Sequence, residues 1–238
     1  MGQDIHFSQF YMSPLNLNPA MTGVMNCKTR AIVNYRNQWS QVLTSDAYST
    51  YSVSYDQKVA VGRSDYFGIG ATFWGDSAGA LNYGTTQGRL SFSYSKKMGG
   101  YRKSAKYLVF GADAGVTQRR IDLSGARWPS QHNGNGGFCA GCPGGNQDIL
   151  DDGDTNFLHA DLSAGLLFFN VMDEASNYYV GLALHHLNQP GVSFLKDTEE
   201  NLTSRLTFHA GGQFEINRDF SILPGFIYMS QGQHRAIN

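Results

Sequence analysis

Residues 84–95 read Gly84-Thr85-Thr86-Gln87-Gly88-Arg89-Leu90-Ser91-Phe92-Ser93-Tyr94-Ser95, and the last seven positions alternate without a break. Leu90, Phe92 and Tyr94 fall on one side; Arg89, Ser91, Ser93 and Ser95 fall on the other. A period of two is the signature of a strand with two unlike faces. The pattern recurs on both sides of this stretch. Ala31, Val33 and Tyr35 oppose Arg30, Asn34 and Arg36; Tyr51, Val53 and Tyr55 oppose Thr50, Ser52, Ser54 and Asp56. Phe67, Ile69, Ala71 and Phe73 oppose Gly68, Gly70 and Thr72; Leu108, Phe110, Ala112, Ala114 and Val116 oppose Asp113, Gly115 and Thr117. Further on, Leu158 to Phe168 oppose His159, Asp161 and Ser163; Val180, Leu182 and Leu184 oppose Gly181, Ala183 and His185. Leu206, Phe208, Ala210 and Phe214 oppose Arg205, Thr207, His209, Gln213 and Glu215. Phe220, Ile222, Phe226 and Tyr228 share a ninth face, where Pro224 weakens the strand or marks a bulge.

About nine strands of roughly 9–13 residues are therefore expected. A tilted membrane strand needs about 9–11 residues, whereas soluble strands cluster near 5–6. The fold class predicted is all-β, an antiparallel transmembrane outer-membrane β-barrel. Single-chain bacterial barrels have even strand numbers, so an odd count predicts that the carboxy-terminal strands are missing from this chain.

Composition agrees. Of 238 residues, 28 are Gly, 13 Tyr and 15 Phe, while charged residues make up 16%, against roughly 25% in ordinary soluble domains. Mean hydropathy is -0.33, as an average over an apolar outside and a polar inside would give. No stretch approaches the 18 or so apolar residues of a membrane helix. The net charge of -1 excludes a polybasic nucleic-acid binder.

The segment 3–23 does not alternate and carries Pro14 and Pro19, with Asn18-Pro19 as a turn signal. It reads as an ordered lead-in, so the chain divides into a periplasmic lead-in at 1–27 and a barrel at 28–238. Met1-Gly2-Gln3-Asp4 lacks a secretory signal, which suits a start that replaced a cleaved one. Connections at 38–46, 75–83, 118–156 and 188–202 lie on one side, and shorter ones near 57–65, 96–105, 170–177 and 216–218 on the other. Long loops face outward in such barrels, so 118–156 is read as extracellular and the amino terminus as periplasmic.

Several residues are candidates for chemistry. Cys139-Ala140-Gly141-Cys142 lies in the long loop, with Cys27 left over. Outside the cell a local disulfide between Cys139 and Cys142 is the simpler outcome; a metal would need further ligands, with His132 the near candidate. Asp148, Asp151, Asp152 and Asp154 crowd around a glycine, a weak calcium signal without regular loop spacing. Beyond that no metal is expected, nor any cofactor or catalytic residue. Arg30, Arg36, Arg89, Asp113, His159, Asp161, Arg205, His209 and Glu215 project to the polar face and are read as lining a lumen, since lipid-facing Arg or Lys costs roughly 2–4 kcal/mol at mid-membrane. His159 and Asp161 sit side by side on one strand, and no G-x-S-x-G accompanies them. His185 and His186 are expected to face opposite ways. Lys96, Lys97, Arg102, Lys103 and Lys106 form a basic turn on the periplasmic side, either a solvated turn near lipid phosphates or a docking surface for an acidic partner.

The lead-in also carries a resemblance. Gln3, Asp4, His6, Phe7, Ser8, Gln9, Phe10, Ser13, Pro14, Leu15, Leu17, Asn18, Pro19, Ala20, Thr22 and Gly23 resemble the opening of the PorP/SprF family of type IX secretion system outer-membrane proteins of Bacteroidetes. Tyr35-Arg36-Asn37-Gln38-Trp39 is similar to that family's first-strand ending. The resemblance implies an outer-membrane barrel serving secretion and gliding motility, not an enzyme. Its implied partners are a secreted adhesin carrying a carboxy-terminal sorting domain, other periplasmic and outer-membrane secretion components, and membrane lipid. It also implies longer chains than this one. Two other readings stand beside it: a general diffusion porin, and a soluble β-sandwich that binds glycans through its aromatics.

Overall fold

A computed structural model describes residues 10–39, 41, 47–79, 83–100, 104–121, 156–173, 175–193, 201–217 and 220–238. The strands are β1 (Thr29–Gln38), β2 (Tyr48–Val61), β3 (Asp65–Ala78), β4 (Tyr83–Gly99), β5 (Ala105–Arg120), β6 (Asn156–Val171), β7 (Asn177–His185), β8 (Arg205–Asn217), β9 (Phe220–Ile222), β10 (Gly225–Gln231) and β11 (His234–Ile237). They form one antiparallel sheet in the order β1-β2-β3-β4-β5-β6-β7-β8-β10-β11, with β9 also on β8. The sheet curls into part of a barrel. Among the described residues, β1 pairs only with β2, and β11 only with β10.

The curl puts the polar face inside. Ser52, Ser54, Asp56, Thr72, Gln87, Arg89, Ser91, Ser93, Ser95, Asp113, Asp161, Ser163, Thr207 and His209 are buried, while Tyr51, Val53, Tyr55, Phe67, Ile69, Phe73, Leu90, Phe92, Phe110, Leu162 and Leu182 are exposed. A soluble sandwich would hide the second set against another layer. The glycan-binding sandwich is therefore overturned. A sheet greasy outside and polar inside is the arrangement that lipid imposes on a barrel. Among the described residues no helix is long and apolar enough to cross a membrane.

Two features depart from the nine-strand expectation. The ninth strand is two pieces: Leu223 and Pro224 interrupt it between β9 and β10. Proline has no N–H for the ladder, yet its carbonyl still accepts from Gly212 N at 3.1 Å, so both pieces stay on β8. After β10 the chain turns through Gly232, whose φ of 57° suits glycine, and returns as β11. That four-residue strand carries too few positions for alternation to reveal it.

Candidate functional site: the filled interior

The lead-in contains a 3-10 turn at Phe10–Met12, a single helical turn at Pro14–Leu17 and another 3-10 turn at Pro19–Met21. Each of the last two starts on a proline, whose missing donor is harmless there. Because the segment is wound in turns, it offers no strand edge. Instead it lies against the concave face of the sheet. Residues 10–24 occupy the inside of the curl.

Asn18 is the anchor. It is fully buried, and its Oδ1 accepts from Ala20 N at 2.8 Å, capping the following turn. That bond fixes which end of the amide is which. Nδ2 then shares its two protons among the carbonyls of Leu166 at 3.3 Å and Leu182 at 3.2 Å and the Nε2 of His209 at 2.9 Å. One side chain thereby ties the lead-in to β6, β7 and β8. Toward β1 the segment is held by charge. Arg30 donates to both oxygens of Asp56, at 2.9 and 2.8 Å, and to the Met21 carbonyl at 3.1 Å. Asp56 also accepts from Gly23 N at 2.8 Å. Between these ends Ser93 donates to the Thr22 carbonyl at 2.6 Å, Asn16 donates to Ser52 at 3.0 Å, and Arg89 donates to Asn16. His185 Nε2 lies 3.2 Å from the Leu17 carbonyl.

The close approach of two backbones explains some glycines on the inward face. A Cβ on Gly111 would stand 2.2 Å from Ala20 N, and one on Gly68 would stand 2.3 Å from the Thr22 carbonyl oxygen. Both distances are impossible, so those positions must be glycine for the lead-in to seat.

The interior changes character along its length. At the end where β1 begins, Leu17, Ala20, Met21 and Val24 pack with Val109, Leu167 and Ile227, flanked by Phe10, Tyr107, Phe169, Tyr179 and Met229. This apolar cluster lies on a face that alternation reads as uniformly polar. At the opposite end, Gln87 accepts from Trp74 Nε1 at 2.8 Å and donates to Thr117 at 2.6 Å and Asp161 at 2.9 Å. Asp161 Oδ1 meets His186 Nδ1 at 2.8 Å. Arg89 Nη1 lies 3.5 Å from Asp113.

His186 corrects one expectation. His185 and His186 both turn inward and both are buried, because His186 takes φ 57° just past the end of β7 and breaks the alternation. Consequently His186, from the connection after β7, is the histidine brought to Asp161 at 2.8 Å. The pair serves to hold the 186–193 connection: Asn188 accepts from Leu162 N at 3.2 Å and donates to the Ala160 carbonyl at 2.7 Å.

Of the polar-face residues, Arg89, Asp113, Asp161 and His209 are buried, and Arg30, Arg36, His159 and Arg205 are half-buried on the inward side. Glu215 shares their parity and is exposed near the end of β8. The lead-in residues Phe10, Ser13, Pro14, Leu15, Asn18, Pro19, Ala20 and Gly23 all belong to the segment inside the curl, whereas Gln3, Asp4, His6, Phe7, Ser8 and Gln9 lie outside the described residues. So do His132, Cys139, Cys142, Asp148, Asp151, Asp152 and Asp154, along with Arg102 and Lys103. Cys27 is exposed, its thiol 3.1 Å from the Thr29 carbonyl. Among the described residues no cluster of three or more His, Cys, Asp or Glu is placed to hold a metal ion. Sequence reasoning missed Trp74, Gln87 and His186. Trp74 and Gln87 carry no signal apart from polarity on the inward face, and His186 is visible only once the backbone turns.

Comparison with known proteins supplies the family. No curated protein and no solved structure matches the chain. The profile of the type IX secretion system membrane protein PorP/SprF matches residues 1–238. With a greasy exterior, a polar interior and that match over its whole length, the chain belongs to the PorP/SprF family of outer-membrane components of the type IX secretion system.

Proposed function

We propose that this chain is a non-conducting docking barrel that holds a secreted adhesin at the cell surface through its long loops, in support of gliding motility. The observation that carries this reading is the filled interior. Residues 10–24 cross the concave face from the Arg30–Asp56 pair to His209, tied to the wall through Met21, Thr22, Gly23, Asn16 and Asn18. A diffusion porin needs that space for water and solute. Recognition then falls to the connections, chiefly 118–156 and 188–202 on the extracellular side, where the carboxy-terminal domain of the cargo would be bound by shape and hydrogen bonding without covalent chemistry. Cys139–Cys142, as a disulfide, would stiffen the first loop. The turn-side end would meet the periplasmic machinery.

Two measurements test this. The full chain reconstituted in a planar bilayer should pass no steady current; porin-like conductance would overturn the docking reading in favour of a diffusion pore. Deleting 125–150 should abolish retention of the adhesin at the cell surface while leaving membrane insertion intact. Unchanged retention would remove the role given to the long loop.

A further inference from the structure

On the lipid-facing side, the apolar stripes of two neighbouring strands stop at the same level, and each stops on a lysine. On β4 the outward positions run Leu90, Phe92, Tyr94 and then Lys96; on β5, read toward the same end, they run Val116, Ala114, Ala112, Phe110, Leu108 and then Lys106. Lys96 lies opposite Leu108, and Lys106 lies two residues along from Leu108 on the same face. The two ammonium groups are therefore diagonal neighbours on one surface, and both residues are exposed. The register shifts between Lys97 and Gly99, beside the pair. A bulge of this kind re-aims side chains at a sheet rim.

The surroundings favour phosphate. The Tyr94 ring lies 5.0 Å from that of Phe67, an aromatic pair at the level where barrels meet headgroups. Among the described residues the Asp65 carboxylate acts electrostatically on Lys96, while its oxygens accept from the Tyr94 hydroxyl at 2.9 Å and from Lys97 N at 3.0 Å, which hold it at the rim of β3. Asn170, opposite Lys106, is neutral. Two cations thus face outward just past a greasy stripe, with apolar surface on one side and water on the other.

We propose that Lys96 and Lys106 form a binding site for the phosphate of an anionic glycerophospholipid, with Leu108, Phe92 and Phe110 against its acyl chains. The site rests on the membrane reading of the sheet's outer face. It is independent of cargo docking, so loss of adhesin retention would leave it untouched. Lysines serve phosphate as point charges, and each basic group near an anionic membrane surface strengthens binding about fivefold.

The test uses the full chain in detergent, with dioleoyl phosphatidylglycerol or dioleoyl phosphatidylcholine added and bound lipid counted by native mass spectrometry. The native chain should prefer phosphatidylglycerol, and the K96Q/K106Q variant should lose that preference by at least about fivefold. The K28Q/R63Q variant, which removes two other exposed cations at the same end, should keep it. Equal preference in the native chain and K96Q/K106Q overturns the site; so does an equal loss in K28Q/R63Q, which would mean diffuse charge. Displacement of the lipid by millimolar inorganic phosphate would assign the pair to free phosphate instead. Loss of a co-purifying acidic protein in K96Q/K106Q, with lipid preference unchanged, would make the pair a protein contact and sink the proposal.

Discussion

The two ends of the interior are lined by the same inward face of the same strands, yet they are built differently. Near the start of β1, Val109, Leu167 and Ile227 close on Leu17, Met21 and Val24 as a small dry core. Toward the other end, Gln87, Arg89, Asp113, Asp161 and His186 form bonded polar groups beside the Trp74 indole. In lipid the outer face gains little from association. The apolar core of this protein therefore has to be inside, and it exists only because the lead-in brings its own apolar side chains to it. The contrast shows that parity along a strand decides direction, while a partner from elsewhere in the chain decides whether an inward position is wet, bonded or dry.

Substitutions at the two ends should separate these roles. The largest effect is expected where the lead-in backbone touches the wall. Gly111→Val would place a Cβ 2.2 Å from Ala20 N, so the segment must leave its seat at a cost above about 4 kcal/mol. Heat-modifiable migration on gels should be lost, or the barrel should begin to conduct; wild-type behaviour in both would break the account of the filled interior. Next is Asp161→Ala, which strands His186 and Gln87 and should cost about 3–5 kcal/mol by denaturant unfolding, with Asp161→Asn costing less than half as much. Leu17→Ala should follow at about 3 kcal/mol, and Leu90→Ala on the lipid side should stay below about 1 kcal/mol; equal effects would mean that the dry core is not special. Glu215→Gln, at an exposed position, should stay within about 0.5 kcal/mol.

Much of this was legible in the residues. Leu90, Phe92 and Tyr94 against Arg89, Ser91 and Ser93 announce a two-faced strand, because the pleat sends consecutive side chains to opposite sides. Eight of the strands follow from that rule. The rule fails where the backbone stops being a strand: Pro224 splits the ninth, and the positive φ of His186 turns a second histidine inward. It is also blind to the lead-in's destination. Asn18-Pro19 signals a turn, but nothing local says that its amide will meet carbonyls some 150 positions away in sequence. Gly111 and Gly68 look like ordinary small inward residues until a second backbone lies on them.

By itself the sequence determined the fold class, the outward side of the first eight strands and, through its opening residues, the family, since periodicity and motif are properties of neighbours along the chain. Only the tertiary structure decided that the lead-in lies in the curl, that Asp161 pairs with His186, and that one end of the interior is apolar. Those outcomes depend on which distant groups can satisfy one another once water is excluded, and a buried donor or acceptor takes whatever partner the assembled fold delivers.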